Sequence, residues 1–185
     1  ETWLPEYYDY TFDNGTVMSD SSGNLLFYSN GDRVWNKNGE IMLNGDELLP
    51  GDSWDQSAIS FPKPGSNNQY YLFSVSNWNS PKGLYYSIID MTLDGDLGGV
   101  TSVKNIKLEA ANWAHDHQFV TKNRSGDAYW VVTRLYNDDR YASFLVDGQG
   151  VHVDPVYSST GIYRNFTSGD NGNIKISPDK RYLVT

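Results

Sequence analysis

The chain has 185 residues and a formal net charge of −9, with 14 Lys and Arg against 23 Asp and Glu. This acidic balance excludes a nucleic-acid-binding protein, because phosphate backbones require a basic stripe that the sequence lacks. The absence of cysteine excludes disulfides and thiolate metal sites, and no apolar run approaches the roughly 20 residues of a transmembrane segment.

The first repeat lies in residues 23–42, "GNLLFYSNGDRVWNKNGEIM". The strand formers at 25–28 are followed by Asn30-Gly31, a dipeptide that takes the positive φ angles of a tight hairpin turn. Val34 and Trp35 resume the strand pattern, and Asn38-Gly39 ends it with a second turn. The stretch therefore predicts two strands and two turns, with no room for a helix.

The same pattern recurs along the chain. Leading strands are predicted near residues 25–29, 70–75, 128–133 and 181–185, and their centres lie 45, 59 and 52 residues apart. This period is typical of four-stranded antiparallel blades of a β-propeller. We therefore expect an all-β, propeller-like unit over residues 1–185, with about three blades and the start of a fourth. Because such a ring cannot close, we expect the N-terminal portion of a larger propeller, in a chain that continues into further domains.

Two connectors separate the repeats. Residues 103–119 contain the best helix formers, but Val103, Ile106 and Leu108 do not maintain a helical stripe. We interpret this segment as a strand plus a long loop. Residues 43–66 read as a loop-rich connector in which "AISF" is a short strand and "PKPGS" a turn.

These residues also resemble a family. The stretch "MSDSSGNLLFYSNGDRVWNKNGEIMLNG" is similar to the N-terminal region of large secreted Bacteroidetes proteins with polycystic-kidney-disease (PKD) type domains and a gliding-motility-associated, type IX secretion sorting domain. Further segments resemble it in the same order: "QSAISFPKPGSNNQYYLFSV", "GLYYSIIDMTLDGDLGGV", "DAYWVVTR" and "GNIKISPDKRYLVT". The resemblance implies a β-propeller without assigned catalytic residues, exported to the cell surface. The segment "NWAHDHQFVTKNRS" departs from the family pattern and is where a specific function is expected.

The stretch "AHDHQ" has the most reactive side chains in the chain. On a strand, His115 and His117 project to one face and Asp116 to the other. Two imidazoles on one face can chelate a divalent metal if a third ligand joins them, such as Asp55 or His152. The alternative is a loop whose histidines bind backbone carbonyls.

Three tryptophans are predicted to lie in loops beside carboxylates and amides. An indole flanked by such groups commonly holds a sugar ring, because the sugar's C–H face packs on the indole while its hydroxyls form hydrogen bonds. The alternative is that these tryptophans fill gaps between blades. Trp35 and Trp130, which lie inside predicted strands, are expected to be core residues. The predicted ligand-binding residues are Trp54, Asp55, Gln56, Trp78, Trp113, His115, Asp116 and His117.

Carboxylates offer two further possibilities. Asp20, Asp55, Asp90 and Asp116 recur at loosely similar intervals, as in propeller glycoside hydrolases, and Glu109 could be an acid. However, Asp20 is expected to cap a turn and Asp90 to be structural, and no nucleophile elbow is present. "DGDLGG" offers Asp94 and Asp96 as weak candidates for calcium.

These patterns predict a non-enzymatic binding or adhesion module of a secreted or cell-surface bacterial protein. Its loops would bind a polysaccharide or another surface protein. Two rival hypotheses are a propeller-fold glycoside hydrolase or lyase, and a structural spacer of a large adhesin or filament. No catalytic residue is assigned, and no cofactor is expected other than calcium.

Overall fold

The computed structural model describes residues 15–49, 58–76, 82–159, 174–179 and 181–184. Within these ranges the chain is all-β, as predicted, and its helices are two three-residue 3₁₀ turns, Asp94–Asp96 and Glu109–Ala111. No helix in these ranges has the length and apolar composition needed to cross a membrane. The strands are β1 Thr16–Ser19, β2 Leu25–Ser29, β3 Val34–Asn36, β4 Ala58–Pro62, β5 Gln69–Ser76, β6 Gly83–Asp90, β7 Gly99–Val100, β8 Ile106–Leu108, β9 Ala114–Lys122, β10 Tyr129–Leu135, β11 Arg140–Asp147, β12 Gly150–Val151, β13 Val156–Ser159, β14 Lys175–Ile176 and β15 Leu183–Val184.

The strands form four antiparallel sheets in chain order. Sheet I has the order β1-β2-β3, sheet II β4-β5-β6, sheet III β9-β10-β11, and sheet IV contains β14 and β15. In sheets II and III the third strand also pairs along its outer edge with two short strands, β7 and β8 in sheet II and β12 and β13 in sheet III. In sheet I an antiparallel bridge from Trp35 to Ile41 occupies that edge. Sheets I, II and III therefore share one strand plan.

A repeated side-chain contact marks the end of the third strand in each of these sheets. The Oδ1 atoms of Asn36, Asp90 and Asp147 each accept a hydrogen bond from the backbone N–H two residues later, at 2.8 to 2.9 Å. Asn and Asp favour such turns because their short side chains reach the backbone that follows. The chain therefore turns at the same point of each sheet for the same chemical reason.

Consecutive sheets pack face to face through apolar clusters. Because side chains alternate along a strand, neighbours in β5 reach opposite sheets: Leu72 joins the cluster shared with sheet I, and Phe73 joins the cluster shared with sheet III. In β10, Val131 faces sheet II, whereas Val132 packs with Ile174 at the start of sheet IV. Sheets II and III therefore bury both faces, and their strands are apolar at successive positions rather than at every second one.

The predicted strands near 25–29, 70–75, 128–133 and 181–185 coincide with β2, β5, β10 and β15. Each of these is the second strand of its sheet rather than the leading one, since β1, β4, β9 and β14 precede them. The first strands are harder to recognise because they are short or polar, as in "TVMS" and "AHDHQFVTK". The two core tryptophans are placed as expected: Trp35 is buried, and Trp130 is half-buried against the cluster that includes Val132.

The interpretation of 103–119 as a strand plus a long loop is only partly right. The strand is present as β8, and the 3₁₀ turn Glu109–Ala111 follows it. The chain then returns to strand at Ala114, so the histidine segment lies on β9 and not in a loop. Pairing with β10 imposes the extended conformation, because Phe119 and Val120 lie opposite Val132 and Val131.

Candidate ligand-binding rim

The candidate site lies where β9 begins, β10 ends and β6 begins. Ala114 of β9 is paired with Leu135 of β10, so the residues just outside this pair, Trp113 and Tyr136, lie side by side. The backbone N–H of Tyr136 donates to the carbonyl of Trp113 at 3.0 Å, which fixes the two residues together. We call this region the rim, comprising Lys82, Trp113, His115, His117 and Tyr136.

A close backbone approach brings β6 to the rim. Gly83, the first residue of β6, has φ +121°, and a Cβ placed on it would lie 3.0 Å from the carbonyl oxygen of Asn112. Only glycine combines this backbone conformation with so short a distance. Gly83 therefore allows Lys82, the residue before it, to lie beside Trp113, the residue after Asn112.

The rings of the rim form a continuous stack. The centroids of Trp113 and Tyr136 are 4.7 Å apart and their planes differ by 15°. Behind them, the ring of His115 is 6.1 Å from Tyr136 and 4.2 Å from His117. Both histidines are buried, whereas Trp113 is 42% exposed at the outer end. The half-buried ring of Tyr136 and two buried histidines thus support one large exposed indole.

The ammonium group of Lys82 lies beside this stack. Its Nζ is 4.7 Å from the centroid of Trp113 and 5.9 Å from that of Tyr136. The centroid of Tyr136 is also 4.7 Å from that of Trp113. A nitrogen centred over the opposite face of the indole would therefore lie roughly twice as far from Tyr136 as from Trp113. Lys82 therefore flanks the stack and does not cover that outer indole face.

The structure confirms that His115 and His117 share one face of a strand, and it places both in the interior. The hydroxyl of Thr133 donates to the backbone carbonyl of His117 at 3.1 Å, which links this part of β9 to β10. His152, one possible third ligand, is held by Asp147 at 2.9 Å near β12. Across the described ranges, no three His, Cys, Asp or Glu side chains are grouped to hold a metal ion.

Asp94 and Asp96, the weak calcium candidates, lie in an exposed 3₁₀ turn with φ angles of +50° and +65°. Left-handed backbone at non-glycine residues is typical of Asp and Asn in tight turns. The described residues around them do not assemble a third carboxylate at this turn. The turn connects β6 to β7, and its geometry is accounted for by that connection.

Asp20 and Asp90, considered as propeller-hydrolase carboxylates, each have a structural role in a turn. Hydrogen bonds from Asn24 and from the backbone of Ser22 hold the pKa of Asp20 below its ordinary value. The amide of Gln69 and the N–H and hydroxyl of Thr92 do the same for the pKa of Asp90. Both carboxylates are stabilised as anions inside their own turns, as expected from the sequence. Glu109, the possible acid, is exposed with Lys107 3.9 Å away.

The structure brings together three of the predicted ligand-binding residues, Trp113, His115 and His117. Trp54, Asp55, Gln56 and Trp78 lie outside the described residues, as does the side chain of Asp116, whose backbone is part of β9. Two rim residues were not predicted, Lys82 and Tyr136. The sequence signal that could have pointed to them is their position at strand ends. Lys82 precedes Gly83 at the start of β6, and Tyr136 follows β10 at a turn.

No protein-family model, no curated protein and no solved structure matches this chain.

Proposed function

We propose that these sheets are consecutive blades of a β-propeller and that the chain is the binding module of an exported bacterial surface protein. The blade assignment is supported by the shared strand plan of sheets I, II and III and by their face-to-face packing. It is also supported by contacts between first strands, since β1 touches β4 and β4 touches β9. In a ring of blades around a central channel, the first strands of consecutive blades must be neighbours.

We propose that the rim binds a polysaccharide. The observation that carries this proposal is the exposure of Trp113, which is 42% accessible although one face of its indole is stacked on Tyr136. An indole that is held in place by stacking on one face loses little conformational entropy when a ligand packs on its other face. The flat apolar face of a pyranose is the complementary surface, and its hydroxyls remain directed to the surroundings.

The neighbourhood of Trp113 supplies polar groups for those hydroxyls. Asn112 is exposed directly before it in the chain, and Lys82 lies beside the ring. Asp138, in the turn that follows Tyr136, forms an ion pair at 2.6 Å with Arg140, the first residue of β11. Strand-end loops on a rigid sheet scaffold are common sites of binding. The resemblance to secreted Bacteroidetes proteins adds the expectation of a cell-surface or extracellular location and a role in adhesion.

The test is binding of the purified protein to a glycan array, followed by calorimetry with the glycan it retains. A sugar face covering roughly 80 Å² of indole is worth about 2 kcal/mol, so Trp113→Ala should weaken binding about thirtyfold. Tyr182→Ala is the matched control, because this side chain is 67% exposed at the β14–β15 turn and lies outside the rim. Circular dichroism and a melting curve should show that both variants keep the fold.

Two results would overturn polysaccharide binding. One is the absence of binding to any glycan on the array, in which case retention of a surface protein would favour the alternative partner. The other is equal glycan affinity of Trp113→Ala and the unaltered protein, which would remove the rim from the site.

A further inference from the structure

We infer that the rim selects acidic polysaccharides, with Trp113 stacking on a uronic acid residue and Lys82 binding its carboxylate. This inference rests on the proposed polysaccharide-binding function and adds the class of sugar. It follows from the position of a single cation at the edge of the exposed indole.

Lys82 has no acidic partner among the described residues, unlike the cations that pair with a neighbouring carboxylate. Its recorded contacts are with the rings of Trp113 and Tyr136. By contrast, Arg140 pairs with Asp138 at 2.6 Å, and Lys107 lies 3.9 Å from Glu109. In a sequence with 23 acidic and 14 basic side chains, a lysine without a carboxylate neighbour beside an exposed tryptophan is a site suited to an anion.

The relative position of the two side chains matches the shape of a uronic acid. A pyranose stacked on the indole directs its ring substituents outward in the plane of the sugar, and the carboxylate on C5 is one of them. A cation that binds this carboxylate must therefore flank the stack instead of lying over the indole. Lys82 does so, since its Nζ is 4.7 Å from the centroid of Trp113 and 5.9 Å from that of Tyr136.

The charge of Lys82 also discriminates between sugar classes. A neutral sugar offers the ammonium only hydroxyl acceptors, whereas a uronic acid adds a negative charge, and an amino sugar would be repelled by the ammonium. The formal net charge of −9 does not prevent binding of an acidic polymer at physiological salt, because exposed charges are screened beyond about 8 Å. The groups within that distance of the indole therefore decide the preference, and Lys82 is one of them.

The experiment compares polygalacturonate with its fully methyl-esterified form, a polymer of the same sugar in which each carboxylate is replaced by an uncharged methyl ester. The unaltered protein should bind polygalacturonate more tightly. Lys82→Gln should weaken that binding about two- to fivefold, the range of an exposed ion pair, and should weaken binding of the methyl ester less, because glutamine can still donate to hydroxyls. Lys37→Gln, which removes an exposed charge from the turn after β3, is the matched control and should change neither affinity. Trp113→Ala should weaken both.

The outcomes separate the inference from the function on which it rests. Equal affinity for the two polymers, binding only to neutral glycans, or an unchanged preference in Lys82→Gln would overturn the selection of uronic acids while polysaccharide binding stood. Failure to bind any glycan would overturn the proposed function itself.

Discussion

Replacing Phe73 with alanine should remove much of the free energy of unfolding, because this ring lies in the interface between sheets II and III. Phe73 is fully buried. Its centroid is 5.6 Å from those of both Phe61 and Tyr86, with interplanar angles of 21° and 27°. The ring therefore has stacked partners on its own sheet in addition to its contacts across the interface.

The expected cost follows from these contacts. Truncating a buried phenylalanine to alanine costs about 3–5 kcal/mol in transfer and cavity energy. Aromatic pairs add about 0.5–1.5 kcal/mol each beyond burial, which favours the upper half of that range. A loss of about 4 kcal/mol is large against the roughly 5–15 kcal/mol that stabilises a typical domain. At a slope of about 2 kcal/mol/M, the urea midpoint should fall by about 2 M.

Urea unfolding followed by tryptophan fluorescence and circular dichroism measures this loss. Tyr182→Ala removes an aromatic side chain that is 67% exposed, so its free energy of unfolding should stay within about 0.5 kcal/mol of that of the unaltered protein. A loss below about 1 kcal/mol for Phe73→Ala, with the slope unchanged, would refute the packing of sheet II on sheet III that underlies the blade assignment.

Two further predictions concern the turns. Gly83→Ala should lower the free energy of unfolding by about 1–3 kcal/mol, because the residue has φ +121° and an added Cβ would lie 3.0 Å from the carbonyl oxygen of Asn112. Gly148→Ala is the control in thermal unfolding, and it should change stability little because its added Cβ meets no atom within 4 Å. Asp90→Asn should cost about 1 kcal/mol at pH 6. The hydrogen bond from Gln69 contributes most to lowering the pKa of Asp90 below 3.8. The ionised carboxylate therefore stabilises the folded state above pH 3.8, and this stabilisation is lost as the pH falls through the folded-state pKa. Urea unfolding at pH 6 and at about pH 2 should show the difference from the unaltered protein shrinking, and a constant difference would contradict this account.

The second and third strands of sheets I, II and III were predictable from the sequence. In β5 and β11, "QYYLFSVS" and "RYASFLVD" are rich in aromatic and branched residues, and Asp147 ends β11 where the chain turns. These signals are local, since strand preference and turn formation depend on residues close together in the chain. The all-β class and the repeated turn residues could therefore be recognised without a structure.

Of the first strands, β4 was predicted as "AISF", but the others and the rim could not be predicted in the same way. β9 contains His115, His117 and Gln118, all polar and all buried, so its composition resembles a loop. It is a strand because β10 pairs with it. Lys82 reaches Trp113 only because Gly83 allows the backbone of Asn112 to approach closely. That approach depends on packing between sheets, and the glycine at the strand end does not by itself predict which segment packs against it.

The amino-acid sequence alone determined that this protein folds as antiparallel strands joined by tight Asn, Asp and Gly turns, because these preferences are set within a few residues. Tertiary structure alone decided that Lys82, Trp113 and Tyr136 meet beside two buried histidines. The physical reason is that this meeting depends on how one sheet packs against the next, through contacts between residues far apart in the chain.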